Sequence, residues 1–358
     1  RALEQWWRMG KSRNFSEFYS NLKLRQIPGF NIGYADKYDT IFYISNGIIP
    51  KRAEGYNWKG IVPGDTKKTI WTDYHEIEDL PQVIQPKSGF IYDANHSPFK
   101  STSAEENPKE GDYSERMGYE TYDNNRSTRL LELIESYDKV SYGDFKDIKY
   151  DNSFPSKFNY NFMDISIIEK LKIDPENDLF EILDIIQKWN RKTDIDSQGA
   201  GIYGVLYYQL ISNYRNEILE NDNAVSKEIL LSALSDVKSY FTDNFGSINI
   251  TLGDIQKLVR GDKEIPIWGL PDVITAMSSR PYIDGRRKVT QGESYIGLVR
   301  FNEKGPTLES VISFGNSDNP DSEHYTDQME LYSKFKTKKM TFDKQEIYSK
   351  AKSIYNPN

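Results

Sequence analysis

The sequence contains no cysteine and just three histidines, at positions 75, 96 and 324. The first absence removes a disulfide framework, a thiolate nucleophile and any Cys-based metal site. The second, with no pair at i, i+4 spacing, removes a His-rich zinc site. No stretch approaches the roughly 18 apolar residues that a spanning helix needs. Arg1-Ala2-Leu3-Glu4-Gln5-Trp6-Trp7 has none of the three regions of a signal peptide. A basic block is missing too: 46 Lys and Arg against 54 Asp and Glu give a net charge of -8. The chain therefore has no electrostatic footprint for nucleic acid or an anionic membrane.

Core-forming material is abundant. Hydrophobic residues make up 37% of the 358 residues and aromatics 13%, with 25 Tyr and 17 Phe, which excludes global disorder. At about 150 residues per domain, this length predicts roughly two domains. Phe15, Phe18, Tyr19 and Leu22 fall on one face of a helix from Phe15 to Leu24, with Asn14 or Ser16 as its cap. Asn31 to Ala35 and Thr40 to Ser45, joined by Asp36-Lys37-Tyr38-Asp39, predict a hairpin. Closely spaced Gly and Pro then break the chain until Gly89 to Tyr92, which reads as a strand ending at Asn95-His96-Ser97-Pro98. Residues 100 to 125 read as an exposed loop, and a helix restarts at Arg126. Further helices are expected at 163–172, 177–191, 201–220, 225–243 and 251–260. Ser294 to Asn302 and Leu308 to Phe314, joined by Glu303-Lys304-Gly305-Pro306, predict a second hairpin. No internal repeat is present.

The segment Gly89-Phe90-Ile91-Tyr92-Asp93-Ala94-Asn95-His96-Ser97-Pro98 delivers a side-chain amide to the mouth of a turn. Two readings of Asn95 stand side by side: an Asx turn that holds its own backbone, or an uncharged donor for the oxyanion of a tetrahedral intermediate. This segment resembles the "G-[FY]-[IV]-x-x-x-N-x-x-P" stretch of the penicillin acylase family of N-terminal nucleophile hydrolases. Asn31-Ile32-Gly33-Tyr34-Ala35-Asp36, Gly47-Ile48-Ile49-Pro50-Lys51-Arg52, Trp71, Leu80-Pro81 and Pro86 follow that family's waypoints in the same order. Near the end, Gly292-Glu293-Ser294-Tyr295, Phe314-Gly315-Asn316-Ser317 and Ser322-Glu323-His324-Tyr325-Thr326-Asp327-Gln328 resemble its "G-x-S-x", "[YF]-[GS]-x-S" and "S-x-H-Y-x-D-Q" sequences. The wording is closest to the acyl-homoserine-lactone acylase and aculeacin-type branch.

The resemblance implies an α/β (α+β) fold, a four-layer αββα sandwich present in part, with a mainly helical insertion. Residues 1–140 would belong to the core, 141–270 to the insertion and 271–358 to a return to the core with a β-hairpin and helix. It implies hydrolysis of a small N-acylated amide through an acyl-enzyme on an N-terminal Ser, whose own α-amine is the base. Arg1 is no such nucleophile, so the nucleophile and the small subunit are expected upstream, and this chain alone is expected to be inactive. By the same resemblance Asn95 is the oxyanion-hole Asn and Arg126 a positioning group, with Arg129 as the fallback. His324, Asp327 and Gln328 take a structural role, since the family uses no His there. No cofactor is required. A structural Ca2+ would draw a carboxylate from Glu106, or from Glu105 or Asp112, and a carbonyl from Pro63. The expected partners are the N-acyl substrate and the remainder of the same precursor, in the periplasm or secreted. The alternatives from other classes are a non-catalytic protein binding sugar or lipid through its aromatics, and a carboxylate-pair glycosidase, for which no Asp or Glu pair stands out.

Overall fold

The computed structural model describes residues 1–158, 163–303 and 305–356, and it divides into two compact units, Arg1–Ser127 and Thr128–Asn358. The first unit opens with two short helices, α1 (Ala2–Gly10) and α2 (Phe15–Leu22). Asn14 caps α2 by accepting from the Glu17 amide at 3.0 Å, which satisfies one of the orphan donors of the first turn. Next come β1 (Phe30–Ala35) and β2 (Ile41–Asn46), the expected hairpin. Asp36 builds its turn, accepting the Tyr38 and Thr40 amides on one oxygen and the Tyr34 hydroxyl on the other.

The third strand of this sheet is β3 (Gln82–Ile84), on the other side of β2. A central strand is covered on both faces, and Phe42, Tyr43 and Ile44 are accordingly all buried. Gly89 to Tyr92 is not a strand, contrary to the expectation from its apolar residues. It runs beside the sheet with the Tyr92 amide donating to the Ser101 carbonyl at 2.9 Å and the Thr102 hydroxyl to the Phe90 carbonyl at 2.8 Å. The loop after it is less exposed than its composition predicts, because Ser101, Thr102 and Met117 are buried.

The chain enters the second unit along α3 (Asn125–Glu135) and continues through α4 (Tyr142–Lys149), α5 (Phe180–Lys188), α6 (Gln198–Asn213), α7 (Arg215–Glu220) and α8 (Lys227–Phe245). The expected helix at 163–172 is a single 3-10 turn at Ser166–Glu169, and the one expected at 201–220 is broken after Asn213. Apolar on every side, α6 lies at the centre of this bundle. Gly199 and Gly204 let neighbours approach it: a Cβ would meet Trp189 at 2.4 Å and Leu270 at 2.9 Å.

Residues 251–260, expected as one helix, form the four-residue α9 (Leu252–Ile255) and then β4 (Gln256–Arg260). After β4 come β5 (Lys263–Pro266), β6 (Met277–Pro281), β7 (Arg287–Gly292), β8 (Tyr295–Asn302) and β9 (Gly305–Ile312). The last elements are α10 (Met329–Ser333), β10 (Lys338–Met340) and α11 (Lys344–Lys350). One sheet has the order β5-β4-β7-β6, with β4 and β7 parallel, and another has β10-β9-β8. The second expected hairpin is β8 and β9, whose Lys304 lies outside the described residues. Among the described residues no helix is long and apolar enough to cross a membrane.

Leu206, fully buried in the middle of α6, tests this packing. Leu206→Ala is expected to destabilise the second unit by about 2–5 kcal/mol, read as a lower urea midpoint with an unchanged slope. Ile211→Ala on the same helix, 39% exposed, is expected to stay within about 0.5 kcal/mol.

Candidate active site

Asn95 occupies the left-handed region, with φ at 57°. Asn tolerates this better than most residues, yet a non-glycine there costs on the order of 1–2 kcal/mol. Side chains, not a ladder, hold it. The Ala94 amide donates to Nδ1 of His96 at 3.2 Å and the Ala94 carbonyl accepts from Nδ2 of Asn124 at 2.8 Å. The Asn95 amide donates to Oδ1 of Asp93 at 3.3 Å and the Asn95 carbonyl accepts from the same Asn124 nitrogen at 3.3 Å. Each such bond is worth about 0.5–1.5 kcal/mol net, so four of them outweigh the local strain.

The clamp is tied to the scaffold in two directions. Toward the hairpin, Asp93 Oδ1 also accepts from Nδ2 of Asn31 on β1 at 2.9 Å, and Oδ1 of Asn31 accepts from the Ser45 hydroxyl on β2 at 2.9 Å. Toward α3, Asn124 is the cap of the helix: its Oδ1 accepts from the Ser127 amide at 2.8 Å, while its own amide donates to the Ser127 hydroxyl oxygen at 3.1 Å. This reciprocal box fixes the first turn of α3 and with it Arg126.

Nη1 of Arg126 donates to Oδ1 of Asn95 at 3.2 Å. A guanidinium has donors alone, so the amide oxygen of Asn95 must face it. The amide nitrogen is left outward on an exposed residue, with no hydrogen-bond partner among the described residues. The result is an oriented, uncharged N–H donor, the element an oxyanion hole requires. The Asx-type turn is made by Asp93, whose Oδ1 accepts from the Asn95 amide, and not by Asn95, the residue expected to form one, whose side-chain oxygen faces Arg126 instead. Arg129, the fallback for Arg126, is engaged elsewhere, pairing with Asp151 at 2.8 Å and Glu132 at 3.2 Å. Burial lowers its pKa less than Asp151 raises it, through a side-chain hydrogen bond.

The calcium candidates Glu106 and Pro63 make their bonds within the first unit. Both Glu106 oxygens accept from N–H and O–H groups of the chain: the Lys87 amide at 2.5 Å, the Ser88 amide at 2.8 Å and the Ser103 hydroxyl at 3.2 Å. These backbone bonds hold its carboxyl well below the usual range, at about 2. The Pro63 carbonyl accepts from the Thr69 hydroxyl at 2.7 Å. Among the described residues no group of three or more His, Asp or Glu is arranged to hold a metal. Glu106 and Pro63 are thus each engaged within the chain, and a calcium ion held by them would need further ligands.

His324 is half exposed and pairs with Asp327 at 2.9 Å, and its carbonyl accepts from the Ser317 amide at 3.1 Å. A Cβ on Gly315 would meet that carbonyl at 2.1 Å. Gln328 accepts from the Ile312 amide at 3.1 Å. This C-terminal motif fastens β9 to α10. In the second unit Phe154 stacks on Phe158 at 4.6 Å and Trp189 packs at a tilt on Tyr203 at 5.1 Å, and Phe158, Trp189 and Tyr203 line a cavity together with Ile165, Ile168 and Ile186.

Sequence reasoning singled out Asn95 and Arg126 and missed Asp93, Asn124, His96 and the role of Asn31. Asp93, two residues before Asn95, carried an Asx-turn signal, and Asn124 with Ser127 carried a capping signal. Nothing local marked His96.

A model of the penicillin amidase family matches residues 1–349. The acyl-homoserine lactone acylase PvdQ of Pseudomonas syringae pv. syringae (strain B728a) is 23% identical over 397 residues, covering 97% of this chain and 49% of that protein. Penicillin G acylase of Escherichia coli is 33% identical over 103 residues, covering 29% of this chain and 12% of its own length. Among solved structures, thermostable penicillin G acylase from Alcaligenes faecalis has a TM-score of 0.62 at 17% identity, covering 100% of this chain and 73% of the other. The chain spans about half the length of the curated relatives it matches. Its mixed helices and sheets have the fold of an N-terminal nucleophile hydrolase, and the chain belongs to the penicillin amidase family.

Proposed function

We propose that the protein is an acylase that hydrolyses the amide bond of N-acylated small molecules, with Asn95 as an oxyanion donor. The observation that carries this reading is the outward amide nitrogen of Asn95, aimed by Arg126 at 3.2 Å on a peptide clamped by side chains. The nucleophile is an N-terminal Ser outside these 358 residues. Its hydroxyl adds to the amide carbonyl as its α-amine takes the proton, and the carbonyl oxygen gains negative charge within reach of Asn95. Collapse expels the leaving amine, which takes up that proton, and water then releases the acid from the acyl-serine. An α-amine suits the task because its pKa of about 7.7–8.0 lies near working pH.

For the substrate we favour a fatty-acyl amide such as an acyl-homoserine lactone over a penicillin-type amide, because the PvdQ relatives are acyl-homoserine lactone acylases. The rest of the same precursor is the expected partner subunit, with maturation by cleavage before the Ser and residence in the periplasm or outside the cell. Taken alone, the 358-residue chain would then be inactive.

The test is hydrolysis by the full-length protein, with N-acyl-homoserine lactone and phenylacetyl amides compared side by side and the released acid measured. Asn95→Ala is expected to lower kcat by about 10²- to 10³-fold with a native circular dichroism spectrum. An unchanged kcat would remove Asn95 from the mechanism. Arg126→Lys keeps the charge but loses the fixed fork, and a fall of roughly tenfold in kcat with little change in KM is expected.

A further inference from the structure

The buried imidazole of His96 is a titratable group the reaction above does not use. Its ring is 2% exposed, stacked on Tyr92 with centroids 5.0 Å apart, and both its nitrogens are engaged. Nε2 lies 2.5 Å from the Lys100 carbonyl, an obligate acceptor, and Nδ1 lies 3.2 Å from the Ala94 amide, an obligate donor. One state of the ring satisfies both: the neutral tautomer with its hydrogen on Nε2. The imidazolium carries a hydrogen on each nitrogen and would set Nδ1–H against the Ala94 N–H.

That amide is one of the four backbone groups that hold Asn95 at positive φ. We propose that His96 is a positioning residue for Asn95, a neutral Nε2–H staple across the turn from Ala94 to Lys100 whose protonation releases the oxyanion donor. The catalytic part of this inference rests on the acylase reading above. The staple itself rests on the geometry alone.

The charges around the ring are mixed. Asp93 Oδ1 lies 4.0 Å from Nδ1, and Lys100, beyond the ring, pairs with Asp123. Burial lowers the His96 pKa and Arg126 adds to that, while the Lys100 carbonyl, Asp93 and Asp123 oppose it, and the net direction is down. A group whose pKa is depressed on folding contributes stability that is complete above its unfolded value, about 6.5. That contribution is lost as the pH falls through the folded value. The staple therefore holds at neutral pH and fails on the acid side.

The experiment uses the full-length protein. A long-range proton–nitrogen spectrum of the His side chains, assigned by the signal lost in His96→Gln, is expected to show His96 as the Nε2–H tautomer. His96→Ala is expected to move the backbone and side-chain amide cross-peaks of Asn95. It should also lower kcat by about 10- to 100-fold, the scale of an ångström-level misplacement, with KM within about threefold. His96→Gln, whose amide can accept from Ala94 and donate to Lys100 but does not titrate, is expected to recover most of kcat. In wild type, log(kcat/KM) should steepen from a slope of about one toward two as pH falls through the His96 value. In His96→Gln it should keep the single slope of the Ser α-amine.

An Nδ1–H tautomer would overturn the staple, and so would Asn95 cross-peaks and kcat left untouched by His96→Ala. If His96→Ala does not fold, the tautomer and the slope in His96→Gln decide. A wild-type protein inactive on every N-acyl amide, with the tautomer and the Asn95 shifts as expected, would remove the acylase reading and leave the staple standing.

Discussion

The hydrogen bonds made by one side chain, Asn124, hold the candidate site together. Its oxygen closes the first turn of α3, and its nitrogen holds the carbonyls on either side of the Ala94–Asn95 bond. A helix cap is ordinarily a local device worth about 1 kcal/mol. Here the same amide also sets the distance between that helix and the turn, so Arg126, two residues into the box, arrives opposite Asn95 without further adjustment. Asn124 is buried, and losing it would strand two carbonyls and one amide together.

The surroundings of the clamp explain why it is rigid. Asp93 is held by Asn31, Asn31 by Ser45, and these last two sit on paired strands whose partner residues are opposite one another. A side chain presented by a loop is thereby given the positional accuracy of a sheet. The hairpin in turn rests on Phe42 and Ile44, fully buried against Leu22, Ile27, Ile77 and Leu80. The line runs from apolar packing through strand register to the direction of one N–H.

Parts of this were legible in the sequence and parts were not, for physical reasons that differ by element. The first hairpin and the cap of α2 are local: alternation, an Asp turn and an Asn before an amphipathic run carry their own signals. The identity of Asn95 and Arg126 came from residue spacing together with family resemblance. The left-handed turn did not, because its partners come from positions 31, 93, 96 and 124, and no window of the chain contains them all. Gly89 to Tyr92 has the residues of a strand but no neighbouring strand to pair with. Conversely, β6 and β7 are rich in Arg, Lys, Ser and Gln and become strands through pairing that is partly non-local. Leu258-Val259 in β4, flanked by Lys257 and Arg260, is too short an apolar run for periodicity to separate helix from strand.

Because side chains anchored at the two ends hold Asn95, the route the chain takes between them carries little of the site's geometry. From about Ser103 to Tyr122 the backbone passes through short 3-10 turns and no strand. Lengthening such a connection adds just about 0.6 kcal/mol of closure entropy per doubling. The exposed stretches of this segment are thus free to vary in length, while Tyr113, Met117 and Tyr119, which pack in the core, and the residues at its two ends are not.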